Sequence, residues 1–222
     1  MLLFIKPTHF LLGIGVIEIN KDILIIGEQR CGKSSVTNQI LKKYTNYEPI
    51  RGDALIIPLQ SAIGRSKRTK EKNNDKIYIE DLALLNLSSK EIAIYFRDIY
   101  EELKIDLKSL GRSIIIDTYS LTVEDAVKYF SSDCDIYCLG MPNETTKNLK
   151  QTIKNNDTRN DWSYYIGDIM LDLACNRIIK NSKTMKEQCE KYNIKFFDTS
   201  GNREEKIEMI IKDIEKNTIN NK

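Results

Sequence analysis

The composition of the chain narrows its function before any motif is considered. Among its 222 residues, 34 Lys+Arg stand against 32 Asp+Glu, which leaves a formal net charge of +2 at pH 7. So balanced a charge gives no support to a strongly basic nucleic-acid-binding protein or to an acidic tail. Hydrophobic residues make up 41% of the chain, enough for the core of one domain. The single histidine, His9, excludes a histidine-rich metal site.

The cysteines indicate a reducing environment. They are odd in number in a chain that is too large to need disulfides for its stability: Cys31, Cys134, Cys138, Cys175 and Cys189. We therefore expect free thiols and a cytoplasmic protein. Cys134 and Cys138 lack the paired short spacing of a zinc site, and both are expected in the core.

The amino-terminal segment is apolar but is not predicted to cross a membrane. Lys6, Pro7 and His9 interrupt it, and the apolar run over residues 10–17 is far shorter than the roughly 20 residues that span a bilayer. It also shows no clear secretory signal pattern. We interpret residues 1–21 as an extension, with either an added strand at 11–19 or sequence upstream of the domain.

Short isoleucine-rich runs alternate with stretches of helical periodicity from residue 23 onward. Each run is too short for a helix and is bounded by Gly, Asp or Pro, which is typical of buried parallel strands. The predicted strands are Ile23–Ile26, Ser113–Ile116, Ile136–Leu139 and Ile194–Phe197, with a further strand expected to end near Asp53.

Amphipathic helices are predicted between these strands. They cover residues 35–43, a stretch that begins at Ser88-Ser89-Lys90-Glu91 and ends at Gly111, a helix or helix pair over 165–192, and residues 204–216. Such alternation predicts an open, mostly parallel sheet covered on both faces, with ligands at the carboxyl ends of the strands. The charged stretch 65–74 is interpreted as a solvated loop, with phosphate or substrate binding as the alternative. The tail 218–222 is expected to be disordered.

The strongest motif directly follows the first predicted strand. Residues 27–34, Gly-Glu-Gln-Arg-Cys-Gly-Lys-Ser, fit the Walker A pattern G-x-x-x-x-G-K-[ST] between a strand and a helix. In such a loop, successive backbone N–H groups face phosphates at the positive end of a helix. Lys33 is expected to reach the β- and γ-phosphates and Ser34 to bind Mg²⁺. The predicted nucleotide-binding residues are Gly27, Arg30, Cys31, Gly32, Lys33, Ser34 and Ser35.

Two residues inside this loop have open roles. Arg30 either helps to hold an anionic substrate or points to solvent. Cys31 is either a reactive thiol whose pKa is lowered by the helix terminus, or a small residue that is tolerated where the loop turns.

Two carboxylates are candidates for the chemistry beside the loop. Asp117 ends the strand Ser113–Ile116, which is the Walker B arrangement, and is predicted to hold Mg²⁺ directly or through water. Asp53 follows Gly52 where the second strand should end, so it is expected to face the same crevice as the γ-phosphate. There it is either a catalytic group that accepts a proton from an acceptor hydroxyl, or a turn-stabilising aspartate.

A polar segment late in the chain is predicted to form a lid over about residues 143–163. It starts with a helix and is interrupted at residues 155–162, which include Arg159. A lid excludes water from phosphates, and its arginine stabilises charge on the phosphoryl group in transfer, which would make Arg159 catalytic. The alternative is a helix–helix corner with Trp162 in the core.

With these residues, the chain resembles the P-loop kinases of the adenylate kinase-like, small-molecule phosphotransferase group over about residues 22–217. Gly27, Gly32, Lys33 and Ser34 carry the likeness. The resemblance implies a three-layer α/β/α sandwich with a five-stranded sheet in the order 2-3-1-4-5, ATP with Mg²⁺, an acceptor site past the second strand and a helical lid. Asp117 is followed by Thr-Tyr-Ser instead of the Gly-Arg sequence usual in nucleoside monophosphate kinases, which disfavours a nucleotide acceptor.

The sequence therefore favours a Mg²⁺-dependent kinase that transfers the γ-phosphate of ATP to a small-molecule hydroxyl or phosphate acceptor, with no nucleic-acid or membrane partner. The alternative is a nucleotide-binding module without catalysis. A GTPase switch is less favoured. Its D-x-x-G element would be Asp198–Gly201, which lies close to the carboxyl end with no N-K-x-D motif after it.

Overall fold

Five parallel strands form the central sheet of the computed structural model, which describes residues 21–55, 58, 88–159 and 161–219. The strand order is β2-β3-β1-β4-β5. The strands are β1 (Asp22–Gly27), β2 (Tyr47–Arg51), β3 (Ser113–Thr118), β4 (Cys134–Gly140) and β5 (Lys195–Asp198). The α/β fold class and the order 2-3-1-4-5 are thus confirmed. The predicted strand at 11–19 and the charged loop at 65–74 lie outside the described residues.

Helices connect the strands as the alternating pattern predicts. They are α1 (Lys33–Lys43), α2 (Ser89–Ser109), α3 (Val123–Phe130), α4 (Thr146–Asn156), α5 (Asp168–Tyr192) and α6 (Arg203–Ile214), with a 3-10 helix at Trp162–Tyr165 and a π-helical turn at Glu215–Ile219. The N-terminus of α2 has the expected capping box, in which the Ser88 hydroxyl accepts from Glu91 N and the Glu91 carboxylate accepts from Ser88 N. Within the described ranges, none of the helices combines the length and the apolar character that a membrane crossing requires.

The sheet has a separate hydrophobic core on each face. Ile23 and Ile25 of β1 pack into one core with residues of α1, α4, α5 and α6. Leu24 and Ile26 pack into the other with residues of α2, α3 and α5. Because β1 is covered on both sides, all its positions are apolar or buried, which explains its continuous isoleucine-rich run. All five cysteines are free and buried.

The second strand ends earlier than the sequence suggested. β2 stops at Arg51, and residues 52–55 are helical. A Cβ atom on Gly52 would lie 2.6 Å from the Cβ of Thr118 and 2.8 Å from a ring carbon of Phe96, so only glycine fits at this turn. Asp53 therefore lies in the first turn of a helical segment and not at a strand end.

The carboxyl end of the described chain packs against the sheet where a disordered tail was expected. Thr218 Oγ1 lies 2.6 Å from Tyr137 Oη and donates to Asp135 Oδ2 at 2.7 Å. Thr218 and Ile219 are both buried. The prediction of a disordered tail at 218–222 is therefore wrong for residues 218 and 219, because a π-helical turn after α6 packs both residues against the sheet.

A buried carboxylate at the start of β1 links three elements. Asp22 Oδ2 accepts from the Tyr100 hydroxyl of α2 at 2.6 Å, and its Oδ1 accepts from Ile114 N of β3 at 2.7 Å. Burial raises the pKa of Tyr100, so its hydroxyl stays protonated and remains a donor. Asp22 thus satisfies two donors that the packed helix and sheet shield from water.

We expect Asp22→Ala to lower the free energy of unfolding by about 2–3 kcal/mol, because it leaves the Tyr100 hydroxyl and the Ile114 N–H without an acceptor. Tyr100→Phe removes one of these two bonds and is expected to cost about 1 kcal/mol. Urea denaturation followed by circular dichroism measures both values. An Asp22→Ala protein as stable as the parent would contradict this role for the carboxylate.

Candidate functional site

The predicted phosphate-binding loop lies where β1 meets α1. β1 ends at Gly27, and α1 begins at Lys33, directly after its N-cap residue Gly32. Gly27 and Gly32 have φ angles of 149° and 101°, which favour glycine, and a Cβ on Gly27 would lie 2.1 Å from the carbonyl oxygen of Leu139. Because Gly32 has no side chain, none caps α1, and the N-terminal N–H groups of this helix suit an anion.

Lys33 is buried and its ammonium group folds back over the loop. Its Nζ donates to the carbonyl oxygens of Gly27 at 3.0 Å and Glu28 at 2.9 Å. In the described part of the chain, no carboxylate forms an ion pair with Lys33. Phosphate oxygens are stronger partners for an ammonium group than neutral carbonyls, so Lys33 is free to exchange these bonds for a phosphate.

Asp117 is a buried carboxylate with an unused oxygen. It is 2% exposed and lies on β3 opposite Ile25 of β1. Its Oδ2 has no hydrogen-bond partner, and the nearest cation is Arg51 Nη1 at 3.5 Å. Burial raises the pKa of this carboxyl, against the opposing effects of Thr37, Arg51 and Lys33.

This oxygen fits a divalent cation. Mg²⁺ prefers oxygen ligands and typically uses one or two protein groups together with phosphates and water. The described residues contain no cluster of three or more His, Cys, Asp or Glu that could hold a metal by itself. A cation at this position would therefore need the phosphates of a nucleotide, with Ser34 and Asp117 as the available protein groups.

A cavity of about 490 Å³ lies over the loop and gathers most of the predicted site residues. Its walls come from the loop, from the turn after β2, from the end of β3, from the 3-10 helix and from the start of α6. The lining residues are Gln29, Arg30, Gly32, Lys33, Ser34, Ser35, Asp53, Tyr119, Asp161, Trp162 and Arg203. Gly27, Cys31 and Asp117 lie outside this lining set, and all three are buried.

Asp53 has the contacts of a turn-stabilising residue and also lines the cavity. Its Oδ1 accepts from Tyr119 N at 3.0 Å and from Thr118 Oγ1 at 3.1 Å, which joins the turn after β2 to the end of β3. The residue is exposed. Neither bond involves Oδ2, so its catalytic role stays a prediction. Arg51 does not pair with Asp53 but lies beside Asp117.

Cys31 has the environment of a structural residue. It is buried, and its Sγ donates to the carbonyl oxygen of Glu28 at 2.8 Å. Burial raises the pKa of the thiol, which works against a reactive thiolate. The structure thus favours the second of the two readings of Cys31, a small residue where the loop turns.

Arg30 makes contacts that neither of its two expected roles included. Its Nη2 pairs with Asp157 at 2.6 Å and Asp161 at 3.0 Å, and the residue also lines the cavity. These carboxylates belong to the segment predicted as part of a lid. Trp162 of the same segment is 38% exposed and lines the cavity, so it is not a core residue.

A second arginine of the cavity lining is Arg203, which the sequence analysis did not single out. Its Nη2 donates to Ser35 Oγ at 3.3 Å, and in the described residues it has no carboxylate partner. Arg159 lies in an exposed turn outside the cavity lining, where its carbonyl oxygen accepts from the Tyr165 hydroxyl at 2.7 Å. The position of Arg203 just after β5, at the carboxyl edge of the sheet, is the signal that would have found it.

We expect Asp117→Asn to raise the free energy of unfolding of the nucleotide-free protein at neutral pH by about 1 kcal/mol, because it removes a charge whose burial outweighs its contacts with Arg51, Thr37 and Lys33. The folded-state pKa of Asp117 lies above its unfolded value, so protonation favours the folded state. The destabilisation caused by the buried Asp117 charge is therefore absent below the pKa of this carboxyl in the unfolded chain and fully present above its pKa in the folded protein.

Chemical denaturation of parent and variant at several pH values measures this effect. The stability advantage of Asp117→Asn should grow as the pH rises through the folded pKa of the parent carboxyl. A variant that is less stable than the parent at neutral pH would show that Asp117 is satisfied within the fold.

Comparisons with known proteins agree with the architecture only in outline. No protein-family model matches the chain, and no characterised protein is significantly similar in sequence. A gluconokinase from Sinorhizobium meliloti 1021 is 13% identical over 91% of this chain and 95% of that chain, with a TM-score of 0.48. A chain of the Pnkp1/Rnl/Hen1 RNA repair complex is 15% identical over 76% of this chain and 46% of that chain, with a TM-score of 0.40. Values this low do not bear on activity, so the proposed function rests on the cavity itself.

Proposed function

We propose that the protein is a kinase that transfers the γ-phosphate of ATP to a small-molecule hydroxyl or phosphate acceptor. The observation that carries this proposal is a single cavity lined both by the phosphate-binding loop and by Asp53. A binding module needs only the loop. A carboxylate in the same cavity, with one oxygen that has no donor among the described residues, can also accept or orient the proton of an acceptor hydroxyl.

The loop residues hold the nucleotide in this proposal. The N–H groups at the start of α1 bind phosphate oxygens, and Lys33 exchanges its bonds to the carbonyls of Gly27 and Glu28 for bonds to the β- and γ-phosphates. Ser34 and Asp117 would hold Mg²⁺ together with the nucleotide. Bound there, the cation would neutralise charge on the β- and γ-phosphates.

Asp53 acts on the acceptor. Its Oδ1 is fixed by the backbone N–H of Tyr119 and the hydroxyl of Thr118, so the carboxylate is held rigidly at the cavity wall. Its Oδ2 accepts a hydrogen bond from the acceptor hydroxyl and orients it for attack.

Arg203 supplies positive charge beside the loop. It contacts Ser35, which follows the two residues that bind phosphate and Mg²⁺, and it has no competing carboxylate in the described chain. We therefore assign the charge-stabilising role first to Arg203. Arg159, the sequence-based candidate, remains the alternative for this role.

We expect the parent to bind ATP, and Lys33→Ala to weaken that binding by at least about tenfold because a charge-assisted contact to phosphate is lost. Asp53→Asn should retain ATP binding while lowering acceptor-stimulated ADP release by about 10²–10⁴-fold. Calorimetric titration with and without Mg²⁺ measures binding, and a coupled ADP assay over a panel of sugars, polyols and phosphorylated metabolites measures turnover. ATP binding without turnover for any acceptor would favour the non-catalytic module, and no binding by the parent would refute the proposal.

The two arginines can be separated by substitution. We expect Arg203→Ala to weaken ATP binding by about tenfold, the scale of one charge-assisted contact to phosphate. Arg159→Ala is the matched control, because the side chain is exposed and outside the cavity lining. It should stay within about twofold of the parent, as expected for an exposed charge. The opposite pattern would return the role to Arg159.

A further inference from the structure

We propose that Arg30 is a positioning residue, which fixes residues 157–159 and 161–163 at the cavity, and that it is not a ligand for phosphate. The proposal rests on the proposed function, because it concerns the same cavity. Arg30 and Lys33, the two basic residues of the loop, are both sequence-based candidates for nucleotide binding. Under this proposal only Lys33 keeps that role.

The guanidinium of Arg30 makes three contacts with one short segment. Its Nη2 donates to Asp157 Oδ1 at 2.6 Å and to Ser163 Oγ at 2.5 Å, and it pairs with Asp161 Oδ1 at 3.0 Å. Ser163 Oγ in turn donates to Asp157 Oδ1 at 2.7 Å. The Asp157 side chain is only 7% exposed, and Ser163 is buried. Partly buried, charge-assisted contacts of this kind are stronger than exposed ion pairs.

The backbone of Arg30 supports a specific role for its side chain. Its φ angle is 65°, in the left-handed region that residues with a Cβ rarely adopt. That conformation is strained for a residue such as arginine, and a glycine would avoid the strain. The contacts to Asp157, Asp161 and Ser163 offset this strain, which explains why a long side chain occupies a loop position suited to glycine.

The charges of this cluster disfavour phosphate binding by Arg30. One guanidinium faces two carboxylates, so a further anion at Arg30 would meet their negative charge. Hydrogen bonds from Thr158 and the nearby charge of Arg30 hold the pKa of Asp161 below its usual range, so Asp161 stays ionised at neutral pH. Lys33 and Arg203 form no ion pair with a carboxylate in the described chain, so a phosphate meets no such repulsion there.

The segment that Arg30 holds contributes Asp161 and Trp162 to the cavity wall. Trp162 lies between two residues that contact the guanidinium, Asp161 and Ser163. The 3-10 helix Trp162–Tyr165 thus depends on Arg30 for its attachment to the phosphate-binding loop. Without that attachment, the wall facing Asp53 would lose its position and admit water to the cavity, which a phosphoryl transfer must exclude.

Trp162 gives a direct readout, because it is the only tryptophan of the chain. The experiment compares three variants with the parent: Arg30→Gly, Asp157→Asn and the double variant. Glycine is chosen at position 30 because it tolerates the φ of 65° there. We expect each single variant to raise the acrylamide quenching constant of Trp162 by about twofold in the absence of nucleotide, and the double variant to add little, since both remove one cluster. Arg30→Lys should fall between parent and Arg30→Gly. Circular dichroism checks that each variant is folded.

Arg112→Ala is the matched control, because Arg112 also pairs with a carboxylate, that of Glu48, away from the cavity lining. Its quenching constant should equal that of the parent. An unchanged quenching constant in both Arg30→Gly and Asp157→Asn would overturn the proposal, and so would an effect of Arg112→Ala as large as theirs.

ATP titration separates positioning from phosphate binding. Arg30→Gly should bind ATP within about threefold of the parent, whereas Lys33→Ala should lose binding by at least about tenfold. A loss in Arg30→Gly equal to that in Lys33→Ala would make Arg30 a phosphate ligand and overturn the proposal. If the parent binds no ATP, the proposed function fails, while the quenching measurements still test the role of Arg30 in holding Trp162.

Discussion

The central position of β1 is the constraint on which the rest of the structure depends. This strand pairs with β3 on one side and β4 on the other, and it is buried on both faces, so its direction and register are fixed. Gly27 at its end lies so close to the carbonyl of Leu139 that no side chain fits. The predicted phosphate-binding loop therefore starts from a strand that is paired on both edges and buried on both faces, and the residues at the ends of the neighbouring strands meet it there.

The site retains a buried carboxylate oxygen that accepts no hydrogen bond. Asp117 is held at the end of a central strand, its Oδ2 has only the Arg51 guanidinium at 3.5 Å beside it, and burial raises the pKa of this carboxyl. Asp22, at the other end of the sheet, is also buried, yet both its oxygens accept hydrogen bonds. The contrast between two buried aspartates in one sheet distinguishes a carboxylate that stabilises the fold from one that is available for a ligand.

The local and periodic features could be predicted from sequence, whereas the contacts across the cavity could not. The isoleucine-rich runs predicted both ends of four strands to within two residues, and Gly32-Lys33-Ser34 predicted the position of the loop. Both succeeded because each signal lies within a few adjacent residues. The end of β2 was misplaced, because the exclusion of a side chain at Gly52 comes from Thr118 and Phe96, which are distant in sequence. Arg30 and Asp157 are 127 residues apart, and no local pattern indicates such a pair.

The distribution of carboxylates divides the three cations of the cavity into two kinds. In the described part of the chain, Lys33 contacts carbonyl oxygens and Arg203 a hydroxyl, so neither has an ion pair to break on meeting the proposed phosphate. Arg30 Nη2 instead contacts two carboxylates. In the proposed function, one basic residue of the loop therefore binds phosphate, whereas the other attaches the segment that carries Trp162 to the loop. The acidic residues that neutralise Arg30 therefore determine the role of that arginine as much as the loop motif does.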